Sequence, residues 1–169
     1  MRMVFQERLD DALAPEVLRI LERCDADFVP PLSARSSTHQ TALTGLTASG
    51  GVQGYFDELR GQPFVLALDG DHVIGFLSFI PGYSLHGEVR GDYVTTVCTL
   101  PERRGEGIAT ALYGRLEELT RPHTLLIRTW STNEGQVCLL GRLGFVLVER
   151  VIDDRGPGVD TLYLAKGEV

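Results

Sequence analysis

The chain has 169 residues, 43% hydrophobic and 23% charged, with a formal net charge of −7 at neutral pH. That length suits one α/β-sized domain over residues 1–169, with a sizeable core and little room for a second unit. The acidic balance excludes the broad basic surface that nucleic acid requires, and no apolar run is long enough to span a bilayer. Near the start, Arg2, Glu7, Arg8, Asp10 and Asp11 interrupt any apolar segment, so no secretory signal is expected. Cys24, Cys98 and Cys138 are odd in number and widely spaced. They read as reduced thiols in a cytoplasm, with no metal site.

The first predicted element is a helix within residues 6–26, strongest from Ala14 onward. Pro15 suits its first turn, and Val17, Leu18 and Leu21 give an apolar face. Met3 to Phe5 offers the one place for an earlier strand. After Pro30-Pro31, residues 33–51 are rich in Ser, Thr and Gly and read as a polar loop or insertion. A short helix from Val52 to Arg60 follows, with Tyr55, Phe56 and Leu59 inward. Strands at 64–68 and 73–80 flank Asp69-Gly70, a dipeptide suited to a tight hairpin turn. Gly75 and Ser78 suggest a bulge or the close approach of another group. Pro81-Gly82 ends that strand, and residues 82–91 read as a loop carrying Tyr83, His86 and Glu88. Such long polar connections often shape binding pockets, so 30–55 and 82–91 are expected to frame an acceptor site.

The strand from Asp92 to Thr99 then runs into Pro101 and a short turn, Arg103-Arg104-Gly105-Glu106-Gly107. An amphipathic helix to Thr120 follows, with Ile108, Ala109, Ala111, Leu112, Leu116 and Leu119 on one face. A helix start leaves about four amide N–H groups unpaired, and the turn holds none of the residues that usually cap one. Glycine allows close approach to the backbone, the helix dipole favours negative charge, and arginine adds charge-assisted bonds. These features describe a phosphate site. Further on, residues 123–129 form a strand, apolar until Arg128. Glu134 to Leu143 forms a helix stopped by Gly144, and 145–152 and 159–165 are two last strands. Asn133 and Gln136 have the spacing of a capping box. A parallel strand pair is required across the 105–120 helix.

Arg104-x-x-Gly107-x-Ala109 resembles the R/Q-x-x-G-x-G/A signature of the GNAT superfamily, the acyl-CoA-dependent N-acetyltransferases. Asn133 followed by Leu139-Leu140-Gly141-Arg142-Leu143-Gly144-Phe145 is similar to that family's second segment. Together the matches cover roughly residues 93–148. The resemblance implies a mixed central sheet flanked by helices, in the order (β)ααβββαβαββ. It implies acetyl-CoA as cosubstrate, with the pyrophosphate on Arg104, Gly105, Glu106, Gly107, Ile108 and Ala109. The pantetheine arm would then lie along the backbone of Val97, Cys98 and Thr99 and reach Asn133. It further implies a small amine or peptide amine as acceptor; the charge and hydropathy above speak against a nucleic-acid or membrane partner, and a homodimer is an open option for the assembly. A dinucleotide fingerprint fails, because GEGIAT lacks the third glycine.

Direct attack on a thioester requires a neutral amine. Glu88 and Asp92, with His86, are the candidate bases near the strand start. Cys98, inside an apolar strand, reads as packing rather than as a nucleophile. Many family members place a tyrosine where this chain has Leu140, and leucine can donate no proton to the leaving thiolate. Tyr113 and Cys138 are possible substitutes, so a slow enzyme is expected. The alternative is a non-catalytic acyl-CoA-binding sensor or subunit. The acidic balance favours small cationic amines or basic peptide ends as acceptors.

Overall fold

The computed structural model describes residues 1–43 and 50–168. Part of the predicted 33–51 loop, residues 44–49, lies outside the described residues.

The strands are β1 (Arg2–Gln6), β2 (Phe64–Asp69), β3 (His72–Leu85), β4 (Val89–Thr99), β5 (Leu125–Trp130), β6 (Val146–Val151) and β7 (Thr161–Lys166). The helices are α1 (Ala14–Cys24), α2 (Gly51–Leu59), α3 (Ile108–Thr120) and α4 (Glu134–Arg142). All seven strands form one sheet in the order β1-β2-β3-β4-β5-β7-β6. Every neighbouring pair is antiparallel except β4 and β5, which run parallel across the α3 crossover as the β-α-β order requires.

Two sequence expectations need correcting. Residues 6–13 are not helical. Met3, Val4 and Phe5 do form a strand, whose ladder against β2 runs from Arg2–Leu68 to Gln6–Phe64, and α1 begins only at Ala14. Periodicity alone could not find that boundary, because a five-residue edge strand carries almost no pattern. Residues 82–91 are not an open loop either. β3 continues through Pro81-Gly82 to Leu85 and returns as β4 from Val89, turning at His86 and Gly87, both at positive φ. The proline is tolerated because the register shifts between Ile80 and Tyr83. A residue at such a bulge needs no ladder partner.

α1 buries Val17, Ile20, Leu21 and Cys24, a three-four spacing that lays one face on β3 and β4. α3 buries Ile108, Leu112, Tyr113 and Leu116 and packs on β2, β3 and β4. Leu112 and Leu116 are fully buried, and each such side chain contributes about 1.5–3 kcal/mol. Gly75 meets the expectation of a close approach. A Cβ there would lie 2.9 Å from Ile108 Cγ2 and 3.1 Å from the Cys98 carbonyl oxygen. The first turn of α3 thus rests directly on the sheet. No described helix is long and apolar enough to cross a membrane.

Candidate active site

The parallel pair is short. β4 and β5 are in register only at Asp92–Leu125, Tyr93–Leu126 and Val94–Ile127. At its root the strands come unusually close, because a Cβ on Gly91 would sit 2.3 Å from the Thr124 carbonyl oxygen. Beyond Val94 they part. On its other side β4 slips against β3: Ser78 pairs with Thr96 and Phe79 with Val94, leaving Thr95 as the extra residue of a bulge. The Thr95 hydroxyl donates to Gln62 Oε1 at 2.7 Å, and Ser78 Oγ donates to the same oxygen at 3.0 Å. These bonds tie the bulge to the segment after α2.

The parting strands enclose a cavity of about 240 Å³. Its walls are Val94–Thr99 of β4 and Ile127–Trp130 of β5, closed by Asn133 and Gln136 at the start of α4. Cys24, Asp27, Phe28 and Arg104 cover it. The edge of β4 from Thr95 to Thr99 that faces β5 has no strand partner. Backbone N–H and C=O groups along such an edge must be satisfied by water or by a ligand's amides. Val97, Cys98 and Thr99 thus line the cavity.

At one end of the cavity lies the glycine turn. Gly105 and Gly107 have φ of 83° and 78°, and nothing lies within 4 Å of where a Cβ would stand on either. Gly107 occupies the N-cap position of α3, and no side chain caps the helix. The amides of the first turn are thus left for an anion. Arg104 lines the cavity but is engaged: its Nη2 donates to Asp27 Oδ2 at 2.6 Å and lies 3.6 Å from Cys24 Sγ. Arg103 faces elsewhere, held by Glu106 at 2.9 Å and Asp69 at 3.0 Å. The Cys24 thiol is pulled down to about 7, first by a hydrogen bond from Cys98 and then by the Arg104 charge. Cys98 is pushed up by the same contact and by burial, consistent with an inert packing thiol.

Asn133 and Gln136 only half meet the capping-box expectation. Asn133 Oδ1 accepts the Gln136 backbone N–H at 3.4 Å. The Gln136 side chain does not return the bond; it donates to the Tyr113 hydroxyl at 2.7 Å. Tyr113 is 2% exposed and does not line the cavity, and burial pushes its phenol well above the ordinary value. Leu140 is fully buried and also stands off the cavity, whereas Cys138 is exposed.

The base candidates lie apart from this cavity. Glu88 is exposed beside the β3–β4 turn. His86 pairs with Glu149 at 2.9 Å. Asp92 is 2% exposed with both oxygens used: Oδ1 accepts the Gly82 N–H and Oδ2 lies 3.0 Å from His123 Nδ1. The two segments expected to frame an acceptor do meet, since the His39 ring stands edge-on to Tyr83 at 5.9 Å.

Sequence reasoning missed three arginines. Arg35 and Arg155 are buried at 5% and 7% exposure, and Arg128 sits in the cavity wall. The one hint was Arg128 interrupting an otherwise apolar strand. Trp130 is half-buried at the end of β5, with the Arg155 guanidinium 5.2 Å from its ring centre.

The comparisons agree with this geometry. The family model described as "Acetyltransferase (GNAT) family" matches residues 25–145. No curated protein matches the chain. Among solved structures, the ribosomal-protein-alanine N-acetyltransferase of Brucella melitensis superposes with a TM-score of 0.70 at 18% identity, covering 98% of this chain and 99% of that one. The aminoglycoside 6′-N-acetyltransferase of Enterococcus faecium gives 0.70 at 16%, covering 98% and 96%. A candidate acetyltransferase of Salmonella typhimurium, solved with its cofactor acetyl-CoA, gives 0.67 at 18%, covering 98% and 93%. At such identities the superpositions establish the fold, and the family match spans the turn, the cleft and the Asn133 segment alike: this chain belongs to the GNAT family of acetyltransferases.

Proposed function

We propose that the protein transfers an acetyl group from acetyl-CoA to a small primary amine, by direct attack within a ternary complex. The observation that carries this reading is the cleft between β4 and β5, which ends at an uncapped glycine turn. Acetyl-CoA fits the groups present. The amides of Gly105, Glu106, Gly107, Ile108 and Ala109 would take the pyrophosphate in the open space over the two glycines. Arg104 would exchange Asp27 for a phosphate oxygen, a bond of the same charge-assisted kind. The unpaired edge at Val97, Cys98 and Thr99 would bond the pantetheine amides, and Asn133 would meet the arm from α4. The acetyl thioester supplies the activated carbonyl; the protein orients it and excludes water around it.

Acid–base assistance is sparse. Among the described residues, Asp27 is the one carboxylate in the cavity wall, and Arg104 neutralises it. Glu88 and Asp92 are base candidates that could act only through solvent or, for Asp92, through His123. A missing positioned acid or base costs roughly 10²–10⁴ in rate, which slows transfer from an activated thioester without abolishing it. The same sparseness favours a second reading, an acyl-CoA-binding sensor without turnover. A panel of amines mixed with protein and acetyl-CoA, read by release of free thiol, separates the two. Amine-dependent release supports the transferase; tight acetyl-CoA binding with no release for any amine supports the sensor.

A further inference from the structure

Arg35, Arg128 and Arg155 stand together over the far wall of the cavity. Arg35 lies 5.5 Å from the centre of the Phe28 ring, Phe28 is 5.7 Å from Trp130, and Arg155 covers the Trp130 ring at 5.2 Å. Arg128 precedes Trp130 by two residues on β5 and so shares its side of the sheet. Phe28, Arg128 and Trp130 all line the cavity.

The three charges are not neutralised. Among the described residues, none of these arginines takes part in an ion pair, although nine other Arg or Lys pairings are formed. Their partners are neutral. Arg35 Nε and Nη2 donate to the Pro30 carbonyl at 3.2 and 3.0 Å. Arg155 Nη1 donates to the Val29 carbonyl at 2.8 Å, and Arg155 Nε to Thr161 Oγ1 at 3.0 Å. Arg128 Nη1 donates to the Gln40 carbonyl. These bonds pin the 29–40 segment over the sheet, which is a structural role in itself. They supply no negative charge, and each guanidinium has five N–H groups. Arg128 Nη2 is buried with no hydrogen-bond partner among the described residues. The two nearby acids are turned away, Asp25 onto Ser33 and Asp154 onto Thr161. Burial, with repulsion from the neighbouring arginines, pulls Arg155 down to about 9 and Arg35 down to about 10. A guanidinium still keeps its proton at neutral pH.

Burying charges without partners is costly, and a fixed anion would relieve it. We infer that this arginine cluster is an acceptor subsite for a small primary amine that also carries an anionic group, a carboxylate or a phosphoryl. This deepens the transferase reading and rests on it. It runs against the lean toward cationic acceptors drawn from the net charge, because a local buried cluster outweighs a diffuse surface charge at short range. Arg128, as the cavity-lining member with a free Nη2, would make the direct contact, and Arg35 and Arg155 would hold the potential.

The test uses matched amines with the full-length protein. Free amino acids are compared with their carboxamides, and O-phosphoethanolamine with ethanolamine, each titrated calorimetrically into the protein saturated with coenzyme A. In parallel, thiol release is measured from acetyl-CoA. The anionic member of a pair should bind at least tenfold more tightly than its neutral partner, and which pair responds tells carboxylate from phosphoryl. Arg128→Gln should abolish that preference with coenzyme A affinity retained, and Arg128→Lys should keep part of it. Equal binding within both pairs, a preference for the neutral members, or no binding by any member overturns the subsite. Selective binding without thiol release would leave the subsite standing and overturn the transferase reading.

Discussion

At the scale of residues, the glycine turn and the helix starts that bound the cavity were legible, and the side chains across it were not. Arg104, Gly107 and Asn133 were readable because local backbone geometry at the starts of α3 and α4 sets their spacing. Arg104's present partner was not, since Asp27 lies 77 positions away. That ion pair is half-exposed at 49% and 53%, and pairs of this kind contribute about 0.2–1 kcal/mol. Asp27→Asn should therefore release Arg104 and tighten acetyl-CoA binding, by about fivefold at most. Unchanged or weaker binding in that variant would mean Arg104 does not reach the phosphates. The absent tyrosine at Leu140 is a different case. Leu140 is fully buried and off the cavity, so Leu140→Tyr would overpack the core at a cost of about 1–3 kcal/mol and is a poor probe of the acid. Tyr113 is the better one. Its hydroxyl is already bonded to Gln136 behind the cavity wall, so Tyr113→Phe should lower kcat by less than about tenfold. A loss of about 10²–10⁴ would identify Tyr113 as the general acid.

At the scale of elements, helices with a clear apolar face were found, and strands whose logic is non-local were misread. The 82–91 segment looks like a loop because Pro81, Gly82 and Gly87 punctuate it. In the fold, the bulge near Pro81 and the Gly82 N–H bond to Asp92 carry the strand through. The cavity exists because two devices act on β4. The Thr95 bulge shifts it relative to β3, and Gly91 lets it touch the Thr124 backbone before β5 diverges. Gly91→Ala places a Cβ where a carbonyl oxygen stands, and neither strand can yield without breaking the parallel pair. This substitution should destabilise the fold by about 1–3 kcal/mol, read from denaturant midpoints. It should also weaken acetyl-CoA binding by displacing the cleft. A variant of full stability and affinity would show that the close approach is not needed.

At the scale of the whole molecule, one sheet serves both halves of the chemistry. In the proposed function the α3 end would present backbone dipoles to phosphate, and the β5 side would present arginines toward the acceptor. The net charge of −7 hides both, because each is a local positive feature within an acidic protein. The central claim is that coenzyme A docks at the turn before α3. The most direct measurement is calorimetric titration of acetyl-CoA into the wild-type protein and into Gly107→Asp. Gly107 stands in open space at φ 78°. The variant adds a side chain and a negative charge where the pyrophosphate would sit, at a helix start that favours anions by about 0.3–2 kcal/mol. The account predicts one site per chain in the wild type and at least tenfold weaker binding in the variant, with an unchanged circular dichroism spectrum. Equal affinities in the two proteins, or no binding to the wild type, would contradict it.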